Sequence, residues 1–407
     1  MTDESPAGAA TPSCPVSRPR DRVPMYGPEF AEDPRRLYDE MRAHGSVAPV
    51  ELAPGYNASL VLAYDAALEV LRDPGTFPKD PSRWEKTVPA DCPLLPMMQS
   101  RPNALFTDGE AHARLRSAVN DALSRIDLAA LRDYVERAAD RLLEEFAGAG
   151  EADLLGQYAR RLPQLVFNET FGCPPEISER LVRGVSGIFE VEHAEEAYKV
   201  LTEAVFELVA LKRERPGADV ASWMMAHPAR LDDEEMAYQL LLLMAAGTEP
   251  QQNLIANGLL LLLTDDRFGG DLSGGSLPVE DALDEILWTD PPMANFGVTY
   301  PVRDVDFAGT RLPADRPVVI SFAAANTDPS RAVSGRKGNR AHLAWSAGPH
   351  TCPAKGHARL IASVAIEKLL DRIPDMEPAV PAEEIQWRPG PFHRAMVALP
   401  VRFPATA

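Results

Sequence analysis

Cys352 is the residue of this chain best placed to do chemistry. It stands in Trp345-Ser-Ala-Gly-Pro-His-Thr-Cys352, with Gly348 and Pro349 before it and Pro353 after it. Proline favours the first turn of a helix, so the pattern predicts Cys352 at or just before a helix N-terminus. Free N–H groups and the positive dipole end there favour a thiolate, which is a strong metal ligand. His350 can offer its imidazole to an anionic group nearby. Two other readings stay open on these residues alone. A free cysteine is commonly buried and inert. A zinc site from His350, Cys352 and His357 would lack a fourth ligand.

Two further groupings carry chemistry. In GEAHARLRSAV, His112 and Arg116 stand at i and i+4, on one helix face. They fit an anion site, or a solvated charged face. In MAAGTEPQQN, Glu249 and Pro250 interrupt the longest apolar run. Proline has no N–H, so the carbonyl of Ala246 loses its i+4 partner and the helix is predicted to kink. Glu249 stands beside that freed carbonyl.

The elements that position these groups are mostly helical. DPRRLYDEMRAHG and DAALEVLRD are helices, and VAPVEL and SLVLAY between them are short strands. GEAHARLRSAVNDALSRI, LRDYVERAADRLLEEFAGAG and LLGQYARRLPQLVFNETFG continue the helical pattern, followed by two or three amphipathic helices between Pro174 and Pro216. The longest helix starts at a cap on Asp232 or Asp233 and spans about thirty residues, or about 45 Å. It is apolar on most sides but broken by Glu249, Gln251, Gln252, Asn253 and Asn257, so it is predicted to be a buried core helix. A helix at Glu280–Trp288, strands in VDFAG and PVVISFAA, and a last long helix through Ile361–Leu370 complete the chain. The fold class is mainly α with a minor β portion.

Composition excludes several functions. The net charge of -19 argues against nucleic acid, which needs a basic surface, and against docking on anionic membranes. Cys14, Cys92, Cys173 and Cys352 are scattered with no CxxC pair, which suits a reducing, cytoplasmic setting. Residues 1–22 read as a disordered tail with no apolar core, and 23–407 as a single domain. No GxGxxG after a strand and no cysteine cluster points to a built-in flavin or iron–sulfur centre.

The segment WSAGPHTCPA resembles the cysteine-ligand loop of cytochromes P-450, Phe-x-x-Gly-x-His/Arg-x-Cys-x-Gly. Gly348, His350 and Cys352 match, Trp345 replaces the phenylalanine, and Ala354 the last glycine. GEAHARLRSAV is similar to the family's His-x-x-x-Arg helix, and Ala246, Gly247 and Glu249 to its oxygen-binding helix motif. Glu285 matches the acid of its Glu-x-x-Arg helix. The resemblance covers nearly the whole chain, in the right order, and points to the soluble bacterial, actinobacterial type.

The resemblance implies the cytochrome P-450 fold, with the long helix across a haem b. Cys352 would be the axial iron ligand and Glu249 the candidate catalytic proton relay. His112, Arg116 and His350 would hold the propionates, with Ala246, Gly247, Trp345 and Gly348 also against the haem. It implies a monooxygenase that oxidises a small organic substrate in secondary metabolism, with ferredoxin and ferredoxin reductase as electron donors. Oxidative coupling, peroxide-driven oxidation and a non-catalytic sensor are the alternatives. The chain departs from the family at Trp288, where the arginine of Glu-x-x-Arg is expected. It departs again at Pro250, in place of a threonine, and at Thr299, in place of a propionate-binding arginine. Trp288, with Glu285 as its structural partner on the helix, is predicted to be buried against the segment Ser330–His342.

Overall fold

The computed structural model describes residues 22–188, 194–265, 267, 279–331 and 338–405. The segment read as a tail lies outside them, apart from Arg22. The helices that build the site are α1 (Pro34–Arg42), α2 (Tyr64–Arg72), α3 (Gly109–Ser124) and α4 (Leu128–Glu144). They continue with α5 (Arg161–Phe171), α6 (Pro175–Ile188), α7 (Ala194–Glu214) and α8 (Asp233–Thr264), then α9 (Val279–Thr289), α10 (Phe322–Asn326) and α11 (Lys355–Arg372).

The strands are few and short. β1 (Val23–Pro24), β2 (Val47–Ala53), β3 (Tyr56–Val61) and β7 (Val318–Ile320) form one sheet in that order. β2 and β3 are antiparallel, and β3 runs parallel to β7. β4 (Glu151–Asp153), β9 (Pro400–Arg402) and β8 (Glu377–Pro378) form a second sheet, and β5 (Val305–Phe307) pairs with β6 (Thr310–Leu312).

α8 is the axis of the fold. Asp232 and Glu235 close a capping box at its start, satisfying two otherwise free N–H groups. Its first half buries Met236, Leu240, Leu241 and Met244 in one apolar cluster, and its second half buries Leu254, Ile255, Leu259 and Leu262 in another. A helix apolar on every side needs partners on every side, and here both ends are anchored. The helix is unbroken across Pro250. No helix among the described residues is long and apolar enough to cross a membrane.

Two local readings change. PVVISFAA is not all strand: β7 ends at Ile320, and Ser321 caps α10 by accepting the Ala324 N–H. α11 begins at Lys355, two residues past Pro353, so Cys352 sits in the loop ahead of the helix.

α9 fastens the segment that leads to the cysteine. Trp288 is buried, donates its indole N–H to the carbonyl of Asn339 at 2.7 Å and meets the His342 ring edge-on at 5.7 Å. Residues 332–337 of the predicted contact segment lie outside the described residues. Glu285 does not carry the charged network on this helix. Its nearest cation is the exposed Arg267, at 3.5 Å. The acids that do are Asp284, buried, and Glu280. Asp284 binds Arg340 at 3.0 Å, and Asp284 and Glu280 together clasp Arg359 of α11. Neighbouring positions on a helix point about 100° apart, and here packing turns position 284, not 285, toward the cysteine segment. Replacing Trp288 by Phe keeps one aromatic ring but removes the indole N–H to Asn339 and the buried pyrrole part of the side chain. The expected cost is about 1–3 kcal/mol, read from chemical denaturation. An unchanged midpoint would contradict this role.

Candidate active site

The cysteine loop is shaped by backbone geometry that few residues tolerate. Gly348 has φ +68°, and a Cβ there would strike the carbonyl of Leu71 at the end of α2. Gly348–His350 then make one 3-10 turn. The Cys352 N–H donates to the Trp345 carbonyl at 2.9 Å, closing the loop. Ser346 also has positive φ, +61°, without being glycine. Ser346→Gly should therefore stabilise the protein by about 0.5–1 kcal/mol, the left-handed penalty less glycine's entropy. A fall in melting temperature would contradict the strain.

The thiol is largely buried, and burial pushes Cys352 up from its ordinary value. The Ala354 N–H, Arg116 and Lys355 oppose this without reversing it. The dipole argument from sequence is thus outweighed by desolvation. The sulfur carries its charge best when a bound cation takes it up.

α3 reaches this loop from the side. Arg116 donates to the carbonyl of Thr351 and, at 3.0 Å, to Asn120. Burial pulls its pKa down, and nearby Cys352 pulls it back up. His112 lies 2.9 Å from the Ala104 carbonyl and 3.3 Å from that of Pro349, with its ring 4.1 Å from that of His350. His350 pairs with Asp108 at 3.2 Å. Burial lowers the imidazole, and Asp108 partly restores it. Lys79, which sequence reasoning missed, is buried beside this cluster and donates to the Val298 carbonyl at 3.0 Å, next to Thr299. Burial pushes its ammonium down to about 8, against the pull of Asp108.

Between α8 and the cysteine loop lies a cavity of about 340 Å³. Ala246, Gly247, Pro250 and Gln251 face it from α8, and Trp345, Cys352, Ala354 and Ala358 from the other wall. Arg116 and His350 sit at its margin. A Cβ on Gly247 would meet nothing, so the wall there is open. Gln251 crosses to α11, donating to the Ala358 carbonyl at 3.0 Å.

Three predicted site residues are off the cavity wall, and the first, Gly348, packs instead against the backbone of Leu71 and Arg72 at the end of α2. His112 is not on the cavity wall; it is held between two backbone carbonyls and steadies the loop at Pro349. Glu249 is turned away from the cavity. It is buried, pairs with Arg388, and accepts from Gln252 at 2.7 Å and Asn253 at 3.3 Å. A carboxylate locked by three donors is a structural anchor, not a free proton relay. Thr248 also turns away, bonding back to the Met244 carbonyl at 2.9 Å.

The cavity fits an iron porphyrin. One wall offers a single buried thiol and mostly apolar surface, and the margin offers a guanidinium and an imidazole for anionic side groups. The zinc alternative finds no support, because no three His, Cys, Asp or Glu converge among the described residues.

The comparisons agree with this geometry. No family model matches the chain. Cytochrome P450 monooxygenase PikC of Streptomyces venezuelae is 31% identical, covering 93% of this chain and 92% of its own length. The 6-deoxyerythronolide B hydroxylase of Saccharopolyspora erythraea is 28% identical, covering 93% of this chain and 95% of its own. Among solved structures, CYP154C4 of Streptomyces sp. W2061 superposes with a TM-score of 0.86 at 28% identity, covering 94% of this chain and 98% of its own. Similarity at that level over nearly the whole length, on top of a buried cysteine facing the long helix, leads to one conclusion: the chain belongs to the cytochrome P450 family, oxidoreductases that bind haem through a cysteine thiolate.

Proposed function

We propose that this chain holds haem b through Cys352 and oxidises a small organic substrate, in the cytoplasm, with electrons delivered by ferredoxin and ferredoxin reductase. One observation carries the reading: the Cys352 thiol faces Ala246, Gly247 and Pro250 of α8 across a single cavity. The thiolate-bound haem supplies the oxygen chemistry, by which one atom of O₂ enters the substrate and the other leaves as water, with two electrons and two protons consumed. Arg116 and His350 would neutralise the propionates.

The rest falls to the apolar wall. Leu242, Leu243, Leu254 and Phe296 exclude water and hold the substrate body. The Ala246 carbonyl, deprived of the N–H at Pro250, is a free acceptor that can hold a water for proton delivery. A place in secondary metabolism is supported by the similarity to a polyketide biosynthesis cytochrome P450, PksS of Bacillus subtilis, at 26% identity.

The same wall favours a second reading. Neither Glu249 nor Thr248 turns an acid or hydroxyl to the cavity, so oxidative coupling driven by peroxide, which brings its own protons, also suits it. Turnover with a surrogate ferredoxin and reductase under ¹⁸O₂ distinguishes them. One labelled oxygen per product is expected. Unlabelled coupled product would favour the second reading, and no product at full haem content would contradict both.

A further inference from the structure

A second cavity, of about 100 Å³, adjoins the one over Cys352 and shares the walls Leu105, Leu242, Ala246, Pro250, Met293 and Phe296 with it. Its lining is apolar apart from Arg101, Asn103 and Tyr198. Asn103 is satisfied by its own loop, accepting the N–H groups of Leu105 and Phe106. Arg101 is not. The residue is only 9% exposed, yet its Nε has no partner. Nη2 donates to the carbonyl of Pro96 at 2.7 Å, and the guanidinium lies 5.2 Å from the ring centroid of Tyr198. Among the described residues no carboxylate is in ion-pair contact with it.

Lys79 is likewise buried with only a carbonyl partner, though the charge of Asp108 supports it, whereas three further buried or nearly buried charges have direct ionic partners. Lys212 is paired with Asp219 at 2.7 Å, Glu249 with Arg388, and Arg359 with Asp284 and Glu280. A buried charge without a counterion is expensive, and a ring face compensates only part of that. Burial raises Tyr198, but the Arg101 charge and hydrogen bonds from Arg101, Tyr238 and Thr202 bring it below the ordinary phenol value, as expected beside an uncompensated cation.

We propose that Arg101 is the anchor for a carboxylate on the substrate, which lies with its apolar body along Leu105, Leu242 and Phe296 and its far end over Cys352. The planar fork of an arginine matches a carboxylate with two parallel bonds, and here the pair would form in a water-poor site where it is strongest. The proposal rests on the oxidase reading of the same cavity and adds the substrate class: an amphipathic organic acid with its charge remote from the oxidised carbon.

Decanoate and 1-decanol share a chain and differ in the head group. Their affinities are measured on the haem-loaded protein by spin-state shift and by calorimetry. Decanoate should bind at least tenfold more tightly than 1-decanol, and Arg101→Gln should bring the two within about twofold. Arg101→Lys, which keeps the charge but not the fork, should fall between. In the absence of acid, Arg101→Leu should raise the melting temperature, since it removes an unpaired buried cation. Equal affinities in the unmodified protein, including no binding of either, would overturn the proposal, as would an acid preference that survives Arg101→Gln. The carbon-monoxide spectrum of each sample reports haem ligation separately. Loss of the thiolate band would refute the haem reading while calorimetry still reads the anchor.

Discussion

Glu249→Gln will unfold more easily than the unmodified protein, by about 2–4 kcal/mol, and will lose haem in proportion to that instability. The carboxylate is buried and holds Arg388, Gln252 and Asn253. Removing one partner of a buried ion pair strands the other, at a cost of about 3–5 kcal/mol when both are fully buried. Arg388 keeps 26% of its side chain in contact with solvent, which lowers that figure. The double substitution Glu249→Gln with Arg388→Gln should recover at least about 1 kcal/mol, because it also removes the cation that has lost the Glu249 carboxylate. A true proton relay would instead show as turnover slowed about ten- to a thousandfold. An unchanged denaturation midpoint with collapsed turnover would restore the proton relay and contradict the anchor.

Gly348→Ala comes next in size. A non-glycine residue at φ +68° costs about 1–2 kcal/mol. The added Cβ also meets the backbone of Leu71 and Arg72, which cannot rotate away as a side chain could. Overpacking of this kind costs about 1–3 kcal/mol. The total, about 2–5 kcal/mol, falls on the loop that carries Cys352. Haem retention should therefore drop more steeply than helix content. Equal haem retention in Gly348→Ala would show that the loop can shift off α2 at little cost.

Much of the site was legible because it is local. Gly348, His350 and Cys352 lie within five residues, and their spacing survives whatever the rest of the chain does. His112 and Arg116 share a face by helical geometry alone, yet only Arg116 reaches the cavity, because His112 is captured by the carbonyls of Ala104 and Pro349. Ala246 and Gly247 face the cavity. Glu249, three positions from Ala246, does not, since its direction depends on Arg388 near the far end of the chain. The same holds for α9. Asp284 and Glu285 are both acids, and only the approach of Arg340 and Arg359 decides which one is used. Arg101 carries no sequence signal at all. A buried cation without a carboxylate partner is a property of its surroundings, visible only once Tyr198 and Pro96 are in place. The long helices followed their caps and periods; β7 ends early because Ser321 offers a cap, the last helix starts two residues past Pro353, and the two- and three-residue strands β1, β4, β8 and β9 are too short to show a period in the sequence.

The central claim is that Cys352 ligates haem iron as a thiolate, and the absorption spectrum of the reduced carbon-monoxide complex tests it most directly. The unmodified protein should show the red-shifted Soret band of a thiolate-ligated haem, and Cys352→Ala, prepared with the same haem supply, should lack it entirely. A red-shifted band that persists in Cys352→Ala, or its absence from the fully haem-loaded unmodified protein, would contradict the account.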